Sequence, residues 1–243
     1  MTKRLLVVVL LLGTSHLLCA QGQTQLSGWL ATFNTFKTGK KTSIHNDIQL
    51  RSTDEFKHTQ TFLFRVGFNY HVRKNMTATV GHAFIHNRRT LSGVNGYAPE
   101  QRIWEQFVIS HKIKTAMIAH RFRLEQRFIS RSVVSGNELK NDGHVYASRF
   151  RYFVRSVLPL QSPGSSFTKG PFAALQNEVF VNIGNKANVN GEFFDQNRLY
   201  LAGGYRLSPK LDLEAGYMNQ YINGRGSAFT NNHIVQLASY IRL

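Results

Sequence analysis

Charged residues occupy every second position of the stretch HRFRLEQRF, residues 120–128. The charged members are Arg121, Arg123, Glu125 and Arg127, and large apolar residues stand between most of them. The arginine guanidinium is a planar fork that can bind two oxygens of a carboxylate or a phosphate at once. These residue types therefore predict either a network of internal ion pairs or a contact site for an anionic ligand.

The same residue types continue further along the chain. They are found at Arg149, Arg151, Glu178 and Arg198. If the segments that carry them lie side by side, these eight residues form one charge network. Two interpretations remain open: a network that fills and rigidifies a narrow interior, or the wall of a passage that selects anions. We favour the first, although the excess of arginine over glutamate speaks for the second.

A period of two identifies the elements that must position these residues as β-strands, because successive side chains of a strand point to opposite faces. Eleven segments show this alternation: 26–37, 43–52, 60–72, 75–87, 101–112, 115–130, 144–157, 172–183, 195–208, 210–221 and 231–243. Strands of soluble proteins have about 5–6 residues, whereas strands that cross a membrane need about 9–11. The longer segments predict an all-β protein, a closed antiparallel transmembrane β-barrel.

The two faces of each predicted strand differ in character. In residues 60–70, phenylalanines share one face, while Arg65 and Asn69 share the other. We expect the apolar face to meet lipid and the charged face to point into the barrel, where partners and water can satisfy it. Glu105 does not fit this assignment, because it falls on the apolar face of its segment.

Aromatic residues and the direction of the faces bear on the alternatives to a membrane barrel. Trp29 and Trp104 are expected in the aromatic girdles at the two membrane interfaces. A soluble two-sheet sandwich could also give alternation, with apolar faces buried between its sheets. A soluble, lipocalin-like ligand-binding barrel has an apolar interior and a polar outside, the reverse of the assignment made above, and it remains as an alternative.

The predicted connections alternate in length. Tight turns such as 38–41 and 112–114 alternate with long polar connections such as 88–100 and 131–143. Outer-membrane barrels have short periplasmic turns and longer external loops. Because such barrels usually have an even number of strands, we predict about twelve strands, with ten as the alternative.

The first twenty residues have the pattern of a targeting segment. A positive start and an unbroken apolar run lead to a small-residue exit at Ala20, after which we predict cleavage. The predicted organisation is a signal peptide over residues 1–20 and an outer-membrane β-barrel domain over residues 21–243. Cys19, the only cysteine in the sequence, could instead anchor a lipoprotein. If it is removed, the mature chain has no disulfide or thiol ligand.

The chain is strongly basic, with 30 Lys and Arg against 13 Asp and Glu and a formal net charge of +17. Basic chains often bind nucleic acid, but the predicted export argues against that partner. We expect contacts with outer-membrane lipid and lipopolysaccharide instead. The last stretch, HIVQLASYIRL, is similar to the terminal strand that the barrel-insertion machinery reads during assembly. Oligomeric state is left open.

Several stretches together resemble a bacterial protein family, domain of unknown function 2490. They are QRIWEQF (101–107), HRFRLEQRF (120–128), SRFRYF (148–153), NEVFVNIG (177–184) and FFDQNRLYLAGGYRLSPKLDLEAGYMNQY (193–221). The resemblance covers most of the mature chain, from about Trp29 onward. It implies an outer-membrane β-barrel of a Gram-negative envelope, and it implies no particular activity.

Motifs of known catalytic and metal chemistry are missing from the sequence, including G-x-S-x-G and H-E-x-x-H. His82 and His86 lie too far apart on one strand to bind a metal jointly, so we predict no metal site and no cofactor. Ser110, His111 and His120 leave an outer-membrane enzyme acting on lipid or lipopolysaccharide as an alternative. The leading prediction is a structural protein or a porin-like passage for small solutes, anionic ones included.

Overall fold

The chain folds into a single closed β-barrel in the computed structural model, which describes residues 22–53, 55–161 and 167–243. Besides strands, the described residues contain one 3-10 turn, Lys186–Asn188. Within those same residues, no helix is long and apolar enough to cross a membrane. The predicted signal peptide, residues 1–20, lies outside the described residues.

Eleven strands form the barrel wall. They are β1 Gly22–Lys37, β2 Thr42–Thr53, β3 His58–Arg73, β4 Met76–Leu91, β5 Val94–Ile113, β6 Ala116–Ser135, β7 Glu138–Pro159, β8 Gly170–Ile183, β9 Phe194–Ser208, β10 Leu211–Asn223 and β11 Phe229–Arg242. Each of the eleven segments predicted from alternation overlaps one of these strands, so the prediction of an all-β barrel is confirmed.

The prediction of twelve strands, or ten, is wrong, because the described residues close a barrel with eleven. Consecutive strands pair antiparallel, and β1 pairs with β11 in parallel from Gly22 opposite Phe229 to Thr35 opposite Arg242. Strand direction alternates along the chain, so an odd number makes the first and last strands run the same way. A parallel ladder also pairs the backbone groups of both edges. An even number is therefore not a condition for closure.

The long polar connections predicted at 88–100 and 131–143 are mostly strand. β4 and β5 stay paired up to the tight turn Ser92–Gly93, and β6 and β7 up to Gly136–Asn137. Both Ser92 and Gly93 have positive φ, 48° and 81°, which is the conformation of the commonest two-residue hairpin turns. Backbone pairing thus continues beyond the point where apolar alternation ends.

The two rims of the barrel are named after the described ends of the chain. The N-terminal rim holds Gly22 and the connections after β2, β4, β6, β8 and β10. The C-terminal rim holds Arg242 and the connections after β1, β3, β5, β7 and β9. The two described ends of the chain therefore lie at opposite ends of the barrel.

Side chains are distributed inside out relative to a soluble protein, as the alternation predicted. On β3, Phe64 and Phe68 are exposed on the outer face, whereas Arg65 and Asn69 are buried inside. Glu105 lies on the outer face, where its Oε2 accepts a hydrogen bond of 3.1 Å from Gln126 Nε2.

The two tryptophans predicted for the outer girdles are inside the barrel instead. Trp104 is fully buried and packs in one inner apolar cluster with Leu63 and Ile85. Its ring lies against two glycines of neighbouring strands: a Cβ added to Gly67 or Gly81 would come within 2.6 or 2.4 Å of Trp104 ring atoms. Because glycine has no side chain, Gly67 on β3 and Gly81 on β4 leave the space that the indole fills.

Trp29 belongs to a second inner cluster. Its buried members are Trp29, Phe172, Ala174, Tyr200, Ala202, Met218 and Ile234, on β1 and β8 to β11. The interior is therefore a charged middle flanked by apolar packing, which holds the arginine side chains in place.

Candidate functional site

Strand register brings the predicted charged residues together on the inner face. Glu125 of β6 lies opposite Arg149 of β7, and Arg123 lies opposite Arg151. Glu178 of β8 lies opposite Phe153, two residues from Arg151. Directly opposite side chains are about 4.5–5.5 Å apart at Cβ, and diagonal ones about 7–8 Å. Long arginine side chains span both distances.

Glu125 is the centre of the resulting network. Its Oε2 accepts from Arg149 Nη2 at 2.7 Å, and its Oε1 accepts from Arg151 Nη1 at 2.5 Å. Arg102 Nη1 lies 3.4 Å and Arg123 Nη1 3.9 Å from its carboxylate oxygens. Glu125 is 0 % exposed. Four arginines therefore share one buried carboxylate.

Glu178 forms the second centre. Its Oε1 accepts from Arg121 Nη2 and from Arg151 Nη2, both at 2.7 Å. Arg198 Nη1 lies 4.0 Å from its Oε2. Because Arg151 also binds Glu125, the two centres belong to one network.

Glu100 and Asp195 extend the network to further strands. Glu100 Oε1 accepts from Arg102 Nε and from Arg127 Nε, both at 2.7 Å. Asp195 Oδ2 accepts from Arg149 Nη1 at 2.8 Å. The structure thus brings all eight residues singled out in the sequence into one connected group.

Several charged residues of the interior were not included in the network predicted from the sequence, although Arg65 was already assigned to an inward face. Besides Glu100, Arg102 and Asp195, they are the pairs Arg65–Asp47, Arg155–Glu214 and Arg206–Asp212, with Arg242 also on Asp212. Glu100 and Arg102 show the same alternation as residues 120–128 and could have been found. Asp47 and Asp195 could not, because nothing local marks their partners on other strands.

A cavity of about 470 Å³ lies inside the barrel beside the network. Within the described residues, ten arginines line it: Arg51, Arg65, Arg102, Arg121, Arg127, Arg149, Arg151, Arg155, Arg198 and Arg242. Three carboxylates line it: Asp47, Glu100 and Glu178. Aromatic rings including Trp29, Phe153, Phe180 and Tyr240 complete its wall. The cavity surface is therefore rich in cations that the carboxylates of that wall do not balance.

The structure does not assemble the serine and histidines considered for catalysis. His111 and His120 stack on the outer face with ring centroids 5.3 Å apart, and His120 Nδ1 lies 2.9 Å from Tyr152 Oη. Ser110, the neighbour of His111 in the strand, points to the opposite face. In the described part of the chain, no group of three His, Asp or Glu side chains could hold a metal ion.

A comparison with protein families matches residues 26–231 to a family described as protein of unknown function (DUF2490). A comparison with curated proteins gives no match. The family match spans β1 to the start of β11 and includes every residue of the charge network. The chain therefore belongs to the DUF2490 family.

Proposed function

We propose that this protein is an outer-membrane β-barrel of a Gram-negative envelope whose interior admits small anionic solutes. Two properties of the molecule support the proposal: its apolar outer belt and its arginine-rich cavity. The cavity carries the functional part, because a surplus of fixed cations attracts anions and repels cations.

The outer belt supports the membrane location. Apolar side chains with roughly 40–60 % exposure face outward around the wall, among them Leu30, Leu50, Phe64, Val80, Ile103, Leu175, Leu199, Leu201, Leu213, Val235 and Leu237. Soluble monomers rarely expose a contiguous apolar patch larger than a few hundred Å². A belt on strand after strand suits lipid, and the closed ladder leaves no unpaired backbone edge in the hydrocarbon. The basic residues of both rims suit the phosphates of lipid and lipopolysaccharide.

The cavity supports the passage of solutes along the barrel axis. A second cavity, of about 590 Å³, includes Thr53, Gln60 and Thr230 near the N-terminal rim. Both cavities are lined by Trp29, Arg51, Thr61, Gln220 and Ile222. The first cavity reaches Thr35 and Arg242 near the C-terminal rim. Together they suggest a route from one rim to the other.

The salt-bridged network and the passage are compatible within this proposal. Glu125 and Glu178 are saturated by arginines, so they hold several guanidinium groups at fixed positions. Arginines beyond that balance supply the positive field of the cavity. The network is then the frame of the passage rather than an alternative to it.

The test has two parts. Density-gradient fractionation should place the mature chain in the outer membrane, and the purified protein should show heat-modifiable migration in a detergent gel. In planar bilayers under a potassium chloride gradient, the sign of the reversal potential should indicate preference for chloride over potassium. Recovery of folded protein from the periplasm without detergent, or an inserted protein that never conducts, would contradict the proposal.

A further inference from the structure

We propose that Arg51 and Arg198, together with the indole of Trp29, form a binding site for the carboxylate or phosphate group of an anionic solute. This inference rests on the proposed function, because the site lies on the suggested route of solutes. It names the place where the passage would recognise its solute. We call these three residues the Arg51–Arg198 site.

Arg51 has only neutral hydrogen-bond partners. Its Nε and Nη2 donate to Gln49 Oε1 at 3.1 and 2.6 Å. Among the described residues, no carboxylate oxygen lies within ion-pair distance of its guanidinium. The nearest link to an acid runs through Gln49, whose Nε2 donates to Asp47 at 2.8 Å. Asp47 is already paired with Arg65, so it leaves the charge of Arg51 largely unbalanced.

Arg198 is in a similar position. Its closest carboxylate oxygen in the described residues is Glu178 Oε2, at 4.0 Å. The other oxygen of Glu178 already accepts from Arg121 and Arg151. Arg198 Nη2 donates to the neutral Gln196 Oε1 at 3.3 Å. Its charge is therefore only weakly compensated.

Trp29 brings the two cations together. The Arg51 Cζ atom lies 3.9 Å and the Arg198 Cζ atom 5.0 Å from the centre of the Trp29 ring. Cation–π attraction holds both guanidinium groups against the indole, and the inner cluster with Met218 and Ile234 fixes the indole itself. Two like charges beside one ring repel each other, and an anion bound by both guanidinium groups would relieve that repulsion.

The surroundings of the site suit an oxyanion. Amide side chains of Gln49, Gln196 and Gln220 lie around it on the cavity wall. The amide oxygens of Gln49 and Gln196 accept from Arg51 and Arg198, so these side chains hold the guanidinium groups without adding negative charge. Arginine favours carboxylates and phosphates over spherical anions, because its fork matches two oxygens. The expected ligand is therefore a small carboxylate or phosphate rather than a halide.

The position of the site makes recognition useful for passage. Arg51 and Trp29 belong to the walls of both cavities. They therefore lie where the second cavity, near the N-terminal rim, meets the first cavity, here called the inner cavity. Arg198 lines the inner cavity beside them. A solute moving between the two cavities would pass these residues.

Binding can be measured on the purified full-length chain in detergent by tryptophan fluorescence. The sequence contains two tryptophans, so Trp104→Phe leaves Trp29 as the only indole. Titration with inorganic phosphate and with succinate, at constant ionic strength set with chloride, should give saturable changes. The affinity for each ligand identifies which oxyanion the site prefers. If phosphate and succinate change the fluorescence no more than chloride does, the proposed site is contradicted.

The decisive comparison uses three substitutions that each remove one positive charge: two in the site and one control outside it. Arg51→Gln and Arg198→Gln should each weaken binding by about tenfold or more, since each removes a charge-assisted contact. Arg242→Gln also removes one cavity arginine, but it lies near the C-terminal rim on Asp212. It should change binding by less than about twofold. Equal weakening by all three variants would mean that general field strength, not this site, binds the anion.

Two further measurements keep the inference distinct from the proposed function. Arg51→Lys keeps the charge but loses the planar fork, so it should bind the oxyanion more weakly than the wild type and more tightly than Arg51→Gln. Its comparison with the wild type tests the site even if the glutamine variant folds poorly. Bilayer recordings of the same proteins test passage itself. If the wild type conducts anions selectively but binds no oxyanion, the site alone is overturned. If the wild type neither conducts nor binds an oxyanion, the proposed function is overturned as well.

Discussion

At the scale of single residues, Glu125 and Glu105 carry the same carboxylate group in two different environments. Glu125 is buried among four arginines inside the barrel. Glu105 lies exposed on the outer face and contacts Gln126. The free energy of a charged group depends on the compensation of its charge, so the two carboxylates should respond differently to neutralisation.

Glu125→Gln should reduce the free energy of unfolding by about 3–5 kcal/mol, because removing one partner leaves several buried guanidinium groups unbalanced. Denaturant titration in detergent, followed by the mobility of the folded form in a gel, measures this change. Glu105→Gln is the matched control and should stay within about 0.5 kcal/mol of the wild type. Equal losses for both variants would show that the network is not a special source of stability.

A second prediction concerns the space for Trp104. A Cβ on Gly81 would lie 2.4 Å from Trp104 Cζ2 and 2.3 Å from the Val66 carbonyl oxygen. Gly81→Ala should therefore lower the melting temperature of the barrel, because a well-packed interior loses about 1–3 kcal/mol on overpacking. Gly203→Ala is the control, since no heavy atom lies within 4 Å of its added Cβ. If both variants melt with the wild type, the indole does not occupy this position.

At the scale of elements, the strand β9 presents an apolar outer face from Leu199 to Leu207. Leu201, at the middle of β9, is 61 % exposed on the outer face, and Leu207 lies on the same face near the C-terminal rim. A lipid environment makes the cost of a charge depend on depth, whereas water does not. The two positions therefore form a matched pair.

Leu201→Arg should destabilise the barrel in lipid by about 2–4 kcal/mol, and Leu207→Arg by about 0–1 kcal/mol. The measurement is the folded fraction after denaturant titration in lipid vesicles. The same titration of the wild type sets the reference. Equal stability of the two variants would indicate that the outer face of β9 does not cross a hydrocarbon layer.

At the scale of the whole molecule, the odd number of strands determines where the two described ends of the chain lie. Gly22 is at the N-terminal rim and Arg242 at the C-terminal rim, because β1 and β11 run in parallel. Barrels with an even number of strands have both ends on one side. The location of the ends thus separates eleven strands from the twelve or ten expected in the sequence.

Single cysteines can test this arrangement on intact cells with a membrane-impermeant maleimide. If the proposed outer-membrane barrel has its C-terminal rim in the periplasm, Gln23→Cys should be labelled and Leu243→Cys should not, and the opposite orientation should reverse the two results. The unmodified chain is the control for labelling at Cys19, which the predicted cleavage would remove. Identical labelling of the two variants would place both ends on the same side and contradict the parallel closure.

The sequence alone determined those features that depend on local geometry. Side chains alternate across any strand, so the spacing of Arg121, Arg123 and Glu125 was enough to predict the strand and its charged face. The same rule located all eleven strands and the exposed face of β3. The sequence-based prediction and the structure therefore agree on the orientation of these side chains, on the strands and on the class of fold.

Only the tertiary structure decided which residues meet. The parallel contact of β1 with β11 joins residues about two hundred positions apart, and no local pattern encodes that register. Arg151 contacts both Glu125 and Glu178, Trp104 fills the space over Gly67, and Arg51 and Arg198 both lie against Trp29 for the same reason. Alternation fixes the face to which a side chain points, whereas closure and strand register fix its neighbours on that face.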